Sequence, residues 1–354
     1  MDGNCQSAKK VFVCGAGHQG LSMAAHLSIS GLEVNLWNRT QEHIQKIIDT
    51  GVIRCSGLVS GDAHIANASS DISTVVEGLI MVTVPSNAHK DIAKMLSPYV
   101  NPNTVIVLNP GRTFGAIEFA EELKRNGVKE LPQIAETQTI VYTCRKNGEN
   151  SASVLALKKD VKIAAIRGSS IDTILSTLPD CLRPYFTPVD SVGYTSLSNI
   201  GMILHCAPVL MNVGWIECPK AEFKYYYDGI SPTVAALLEK MDFERRAVAS
   251  AAGYCVESLK QWLERTYDVT GENLHECIRN NEVYREIDAP PTVNTRYLFE
   301  DVPNGLVPVE AMGHEYGVET PAITTIIDLA CSVMNNDYRK TGRCFSYSQL
   351  KQYL

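Results

Sequence analysis

The stretch Val11-Phe-Val-Cys-Gly-Ala-Gly-His-Gln-Gly20 joins a short apolar run to a glycine-rich turn, and a helical pattern begins directly after it. Its glycines, Gly15, Gly17 and Gly20, have the GxGxxG spacing of a dinucleotide site. The first permits the tight turn, the second lets the backbone approach a pyrophosphate, and the third lets the helix lie close to the strand. We therefore expect this turn, with His18 and Gln19, to bind a dinucleotide at the helix N-terminus.

Length and composition limit the classes of protein. The 354 residues carry a formal net charge of −7, and 45% of them are hydrophobic. A chain of this length usually forms more than one core, so we expect two domains. The absence of a basic run argues against nucleic acid and membrane surfaces as partners. The 11 cysteines lack metal-ligand spacing and no targeting segment is recognisable, a pattern typical of a cytoplasmic protein with reduced thiols and no metal site.

Strand-like and helix-like segments alternate over the first half of the chain, which indicates a mostly parallel sheet with helices on both faces. The segments 133–142, 154–157 and 161–166 continue this alternation. From about residue 191 the pattern is helical only, and we expect the long stretch 233–266 to be broken around Asp242. We predict an α/β Rossmann-type dinucleotide-binding domain over residues 1–187 and an all-α domain over residues 188–354, with the substrate in a cleft between them.

An uncharged segment, residues 191–216, opens the second half and is long enough to span a bilayer. Polar residues, glycines and Pro208 interrupt it, so a buried helix is the better interpretation. Pro208 cannot donate to the carbonyl of Leu204, which predicts a kink beside His205. A lone histidine on such a helix is either a satisfied core residue or a catalytic one.

The end of the second predicted strand bears on the cofactor. Dinucleotide domains usually have Asp or Glu there, which accepts hydrogen bonds from the adenine ribose. Here the residues are Asn38, Arg39 and Thr40. A neutral amide followed by hydrogen-bond donors favours NADP(H) over NAD(H). The alternative is that Asn38 binds a plain ribose and Arg39 is a solvated surface residue.

Further loops follow strands at the carboxyl edge of the predicted sheet, where ligands bind in open α/β sheets. We expect Val84, Pro85 and Asn109 near the nicotinamide half of the cofactor, and Arg112 as an anion contact. Ordinary turn chemistry is the alternative for each of them. Glu136 lies in a similar setting, where its carboxylate either attracts a cationic group or is simply exposed.

Charged residues also cluster over 296–303. Arg296 and Glu300 have the i,i+4 spacing of a surface ion pair. Asp301 lies outside the helix face shared by Arg296 and Glu300, just before Pro303, so its carboxylate could reach into a cleft.

Motifs along nearly the whole chain resemble those of the opine dehydrogenase family, which includes octopine and nopaline dehydrogenases. They are GAGHQG at 15–20, NPGRTFGAIE at 109–118, AETQT at 135–139 with YTCR at 142–145, Asn199 followed by His205, and RYLFEDVPNGLV at 296–307.

The resemblance implies that an amino acid's amino group condenses with a 2-oxo acid and that a reduced nicotinamide cofactor reduces the imine. It implies that His205 is the catalytic histidine, that Arg296 helps to hold the keto-acid carboxylate, and that Asp301 is the acidic member of the same triad. Substrate contacts are expected from other motif residues: Arg112, Glu136, Thr137 and Asn199. Asn38 and Arg39 depart from what NAD-using members would carry.

Two alternatives remain. A ketopantoate or β-hydroxyacid-type NADP-dependent reductase has the same domain plan but uses a lysine on the first helix of its second domain. The chain has no lysine between Asp190 and Glu217, which argues against that class. A non-catalytic NADP-binding sensor would need no His-Arg-Asp set. The expected partners are small molecules, a 2-oxo acid and an amino acid or amine, with a homodimer as a possible assembly.

Overall fold

The computed structural model describes residues 9–220 and 222–354, and their contacts divide the chain into two units. The first ends at Thr195 and takes in Tyr353 and Leu354, and the second comprises Ser196–Gln352. The division falls within the helix Val192–Leu197. The domain boundary after residue 187 stays a prediction.

The strands belong to the first unit. In chain order they are β1 (Lys10–Cys14), β2 (Glu33–Trp37), β3 (Val52–Gly57), β4 (Gly61–His64), β5 (Asn67–Ser69), β6 (Leu79–Val82), β7 (Val105–Leu108), β8 (Gln133–Thr137), β9 (Tyr142–Gly148), β10 (Ser151–Leu157), β11 (Val161–Ala165) and β12 (Phe186–Pro188). The helices up to the division are α1 (His18–Ile29), α2 (Gln45–Thr50), α3 (His89–Leu96), α4 (Gly115–Arg125), α5 (Ile171–Thr177) and α6 (Val192–Leu197).

The main sheet has eight strands in the order β12-β11-β8-β7-β6-β1-β2-β5. Neighbouring strands are parallel except β8 and β11. The apolar strands β6 and β7 are buried at every position, as expected for parallel strands covered on both faces. The predicted Rossmann-type α/β fold is confirmed, and the carboxyl ends of β1, β6 and β7 meet at one edge.

A second sheet, β4-β3-β10-β9, was not predicted. The segments 133–142 and 154–157 were expected to continue the main alternation, but the chain leaves the main sheet at Thr137 and forms β9 and β10 as an antiparallel pair. Burial alternates along the first part of β10 because only one face of this small sheet is covered. A four-residue apolar run could not distinguish the two sheets.

The second unit is helical, as predicted. Its helices are α7 (Gly201–Met211), α8 (Val213–Ile216), α9 (Pro232–Ala251), α10 (Leu259–Tyr267), α11 (Leu274–Asn280), α12 (Glu282–Arg285), α13 (Arg296–Phe299), α14 (Val307–Tyr316), α15 (Pro321–Met334), α16 (Tyr338–Thr341) and α17 (Tyr347–Tyr353). A π-helical turn, Val302–Leu306, joins this set between α13 and α14.

The predicted break around Asp242 is wrong, because α9 runs through that residue. Asp242 is buried, and its carboxylate accepts hydrogen bonds from the Arg245 guanidinium at 2.7 Å and from the Leu259 backbone N–H at 3.0 Å. These tertiary partners outweigh the weak helix propensity of aspartate. The chain instead breaks after Ala251, where Gly253 has φ +89°.

The uncharged segment 191–216 forms α6, α7 and α8 rather than one long helix. Among the described residues, no helix combines the length and apolarity that crossing a membrane requires.

Candidate active site

The glycine-rich turn lies between β1 and α1. Gly15 has φ +116°, and Gly20 packs so closely that an added Cβ would lie 1.8 Å from the carbonyl oxygen of Gly15. An added Cβ on Gly17 would meet no described atom within 4 Å. Gly15 and Gly20 therefore shape the turn, whereas Gly17 leaves space in front of it.

Thr83, which follows β6, holds this turn from the neighbouring strand. Its buried hydroxyl lies 3.0 Å from the carbonyl oxygen of Cys14 and 3.1 Å from that of Gly15. Sequence analysis missed Thr83, although a threonine that ends an apolar strand was a usable signal. The Cys14 carbonyl also accepts from the Thr83 N–H at 2.9 Å, so the hydroxyl can donate to the Gly15 carbonyl.

The turn is suited to a dinucleotide. The N-terminus of α1 has no side-chain cap and no acidic residue in its first turn, so its N–H groups and partial positive charge suit a pyrophosphate. Two buried side-chain atoms, Nε2 of Gln19 and Oδ1 of Asn109, have no hydrogen-bond partner among residues 9–220 and 222–354. Such atoms are costly unless a ligand satisfies them. Gln19 and Asn109 are among the residues that sequence analysis assigned to the cofactor.

The Asn38 side chain spans the turn and the end of β2. Its Oδ1 accepts a hydrogen bond from the Ala16 N–H at 3.3 Å, and its Nδ2 donates to the carbonyl oxygen of Thr40 at 2.8 Å. Arg39 is exposed, and its Nη1 lies 4.0 Å from Oδ2 of Asp91. A neutral amide thus occupies the position of the usual acidic ribose ligand.

The nicotinamide-side residues lie at the same sheet edge as Gly15. The Asn109 N–H donates to the carbonyl oxygen of Val82 at 2.8 Å, and its side-chain Nδ2 donates to that of Val107 at 2.9 Å. Cγ1 of Val84 would lie 2.9 Å from a Cβ added to Gly15, and Pro85 is exposed. The structure therefore brings Val84 beside Gly15 and Asn109 to the same carboxyl edge of the sheet, and their contact with the nicotinamide half stays a prediction.

Glu136 is fully buried, so the expected exposed position is wrong, whereas its entrance or substrate contact stays a prediction. Its Oε2 accepts a hydrogen bond from the Ala116 N–H at 2.8 Å, and its Oε1 accepts one from Oγ1 of Thr195 at 2.8 Å. The carboxylate therefore caps α4. The physical reason is that β8 lies inside the sheet, between β7 and β11, and its carboxyl end is covered.

Thr137 is also buried, and its Oγ1 donates to the carbonyl oxygen of Leu108 at 3.2 Å. Its own carbonyl oxygen accepts from the Gly111 N–H at 3.2 Å. Thr137 thereby fixes both sides of the turn that begins at Asn109. A direct substrate contact by Thr137 stays a prediction.

Arg112 has a left-handed backbone conformation with φ +61° and lies near Lys158. Burial, together with the positive charge of Arg112, lowers the pKa of Lys158 to about 8. Nζ of Lys158 donates to the carbonyl oxygen of Ile140 at 3.3 Å. Two neighbouring cations suit an anion, and the anion contact of Arg112 remains a prediction.

In the second unit, His205 of α7 meets Asp301, which follows α13. Nδ1 of His205 donates to Oδ2 of Asp301 at 2.8 Å, and this carboxylate is 1% exposed, whereas the imidazole is 16% exposed. The ring of Tyr297 stacks on the imidazole, with centroids 4.1 Å apart and an interplanar angle of 12°. The pairing at Nδ1 leaves Nε2 as the atom for proton exchange.

Tyr225 compensates for the proline in α7. Pro208 lies inside this helix, so the carbonyl of Leu204 loses its usual donor. The Tyr225 hydroxyl lies 3.4 Å from that carbonyl oxygen and 2.6 Å from that of His205. Burial raises the pKa of Tyr225, so its hydroxyl keeps its proton and acts as a donor.

The π-helical turn after Asp301 packs closely on α7. A Cβ added to Gly305 would lie 2.7 Å from Cβ of Met202 and 3.5 Å from Nδ2 of Asn199. Oδ1 of buried Asn199 accepts from the Gly201 N–H at 3.2 Å, at the start of α7. Asn199 and Gly305 therefore fix α7 against the segment that carries Asp301. A substrate contact by Asn199 stays a prediction.

Arg296 pairs with Glu300, as the i,i+4 spacing indicated. Its Nε and Nη2 both contact Oε2 of Glu300, at 2.8 Å and 2.7 Å. Glu300 is buried, whereas half of the Arg296 side chain is exposed. Glu300 thus orients a guanidinium that still faces solvent, which is compatible with binding a carboxylate.

Comparisons with known proteins agree with these features. Residues 188–334 match the family model of the NAD/NADP octopine/nopaline dehydrogenase α-helical domain. Over 339 residues the chain is 35% identical to an opine dehydrogenase of Arthrobacter sp. (strain 1C), covering 95% of this chain and 94% of the relative. The chain belongs to the opine dehydrogenase family. It is also 24% identical to the octopine dehydrogenase of Pecten maximus over 80% of this chain and 75% of that one.

Solved structures agree in fold. An octopine dehydrogenase with NADH and L-arginine has a TM-score of 0.75 at 20% identity, covering 92% of this chain and 89% of that chain. A yersinopine dehydrogenase with bound NADP⁺ has a TM-score of 0.72 at 12% identity, covering 98% and 95%. The ketopantoate reductase family model matches residues 11–110, within the dinucleotide-binding unit. The chain is thus an oxidoreductase that uses a nicotinamide dinucleotide.

The glycines allow a matched pair of substitutions. We expect Gly20→Ala to lower the free energy of unfolding by about 1–3 kcal/mol or more, because its Cβ would collide with the Gly15 carbonyl. Gly17→Ala should leave stability within about 0.5 kcal/mol of wild type, yet weaken NADPH binding at least about tenfold. Denaturant titration measures the change in stability, and fluorescence titration measures the change in NADPH affinity. Normal NADPH affinity in Gly17→Ala would contradict the prediction that the cofactor occupies the space in front of Gly17.

Glu136→Gln should lower the free energy of unfolding by about 1–3 kcal/mol, because the amide keeps only one of the two oxygens that accept from the Ala116 N–H and the Thr195 hydroxyl and loses the negative charge at the start of α4. Exposed Glu130→Gln is the control. Unchanged stability together with a raised substrate KM would instead favour a substrate contact.

Proposed function

We propose that this enzyme condenses an amino acid or amine with a 2-oxo acid and reduces the resulting imine with NADPH. Condensation releases water, and reduction consumes one hydride and one proton to give a secondary amine. The cofactor supplies the hydride when it is bound at the glycine-rich turn. The rest of the chemistry requires a proton donor and a carboxylate anchor.

The pairing of His205 with Asp301 carries this proposal. Because Nδ1 donates to a buried carboxylate, the imidazole is held in one orientation with Nε2 on its other side, where Nε2–H can deliver a proton to the reacting centre. The Tyr297 ring adds a π face against the same imidazole. A histidine with only a structural role could be satisfied by a neutral hydrogen-bond partner. Burial of a carboxylate costs free energy, which favours a function for its negative charge.

Arg296 is proposed to anchor the keto-acid carboxylate. Its guanidinium is oriented by Glu300 and half exposed, so another carboxylate can approach it. In the same proposal Asp301 orients His205 without touching the substrate. Lysine, the donor type of the rival reductase class, is absent from residues 191–216.

We propose NADP(H) as the preferred cofactor, because Asn38 is neutral and Arg39 is a cation beside it. A cytoplasmic location and a homodimer remain predictions.

A matrix of 2-oxo acids against amino acids and amines, followed by the loss of NADPH absorbance, tests the reaction. We expect turnover only when both compounds are present. Oxidation with the 2-oxo acid alone, giving a 2-hydroxy acid, would assign the enzyme to the rival reductase class. NADPH binding without turnover in the whole matrix would favour the sensor. A tenfold preference for NADH would overturn the cofactor proposal.

His205→Gln should lower kcat by roughly 10²–10⁴-fold, the usual range for a lost general acid, and leave NADPH affinity unchanged. Asp301→Asn should lower kcat as well, because a neutral amide is a weaker partner for Nδ1 and orients the imidazole less firmly. Exposed His314→Gln is the control. If His205→Gln keeps more than about a tenth of kcat, the residue belongs to the core and not to the chemistry.

A further inference from the structure

The second sheet places Lys146 beside the cofactor turn. Lys146 lies on β9, and its backbone N–H donates to Nδ1 of His18 at 3.0 Å. His18 is the first residue of α1, within the GxGxxG motif. The bond comes from the backbone, so it holds β9 against the helix N-terminus whatever side chain residue 146 carries.

The Lys146 side chain extends toward the loop after β2. Its Nζ donates to the carbonyl oxygen of His43 at 3.3 Å. His43 ends the short helical turn Gln41–His43, which directly follows Thr40. One residue therefore links the start of α1, through its backbone, to the end of the adenine-ribose loop, through its ammonium.

The positive charge of this ammonium is incompletely compensated by its neighbours. Burial lowers the pKa of Lys146, and Glu149 opposes that effect only as a neighbouring charge. A neutral carbonyl oxygen offers a cation less than an anion would. Within the same loop, Arg39 presents a second cation, with exposed Asp91 4.0 Å away. The loop of residues 38–43 thus contains one cation and is contacted at its end by another.

A phosphate monoester fits this arrangement. It carries about 1.5–2 negative charges at neutral pH and accepts several hydrogen bonds. The ribose of a bound dinucleotide lies between the glycine-rich turn and the end of β2 in this fold class, and its 2′-oxygen faces the loop after β2. Lys146 approaches that loop from the α1 side, and Arg39 belongs to it.

We propose that Lys146 is a cofactor-specificity residue that binds the 2′-phosphate of NADP(H) together with Arg39. This inference rests on the proposed preference for NADP(H). Lys146 lies more than a hundred positions from Arg39 in the chain, and only the pairing of β9 with α1 brings it to the site.

The test measures binding of adenosine 2′,5′-bisphosphate and of 5′-AMP by calorimetry, because these probes differ only in the 2′-phosphate. Lys146→Met removes the charge and keeps the aliphatic stem, and Lys146→Arg restores a cation. Lys129→Met is the charge-matched control, since this exposed lysine precedes β8 at the opposite edge of the sheet. Arg39→Ala serves as the comparison variant, and thermal unfolding checks that each variant is folded.

We expect Lys146→Met to weaken bisphosphate binding by roughly 10-fold to 100-fold, as for loss of a charged hydrogen bond, with 5′-AMP binding nearly unchanged. Lys146→Arg should recover most of the loss. Equal weakening of both probes would assign Lys146 to the 5′-phosphate and overturn the inference, as would no change. A wild type that does not discriminate between the probes would instead refute the NADP(H) preference itself, which separates the two failures. If Lys146→Met does not fold, Lys146→Gln supplies the neutral variant.

Discussion

The buried carboxylate of Asp301 is the group on which the second unit is organised. An ionised carboxylate that is 1% exposed is stable only with strong partners, and the His205 imidazole is one of them. That requirement fixes α7 relative to the segment after α13. Gly305 permits the close approach, Asn199 starts α7 at the right place, and Tyr297 holds the ring plane.

The surrounding residues keep this helix intact despite Pro208. The tyrosine hydroxyl at 225 lies close to carbonyls that the proline disturbs, so a helix with an internal proline persists beside the histidine. A π-helical turn follows Asp301, and such turns occur frequently at functional sites. The second unit therefore supplies an oriented imidazole and, through Glu300, an oriented guanidinium.

The first unit differs from the second because it must leave hydrogen-bond donors and space for an anionic cofactor. Gly15, Gly20 and Thr83 fix the turn, whereas Gly17 keeps its front open. Glu136 illustrates that a motif residue can have a structural role, because its carboxylate stabilises the start of α4. The glycine-rich turn and the His205–Asp301 pair thus lie in separate units, each stabilised by its own buried polar contacts.

The sequence alone determined the fold class and the order of the two domains, because glycine spacing and the period of apolar residues are local properties. It predicted the dinucleotide turn, the helical second half and the possible roles of His205, Arg296 and Asp301. Local patterns cannot report partners that are distant in the chain. Only the tertiary structure placed Asp301 on Nδ1 of His205, kept α9 unbroken at Asp242, buried Glu136, and brought Lys146 of an unpredicted sheet to the cofactor turn. Each of these outcomes depends on contacts between segments far apart in sequence, whose energies exceed local propensity.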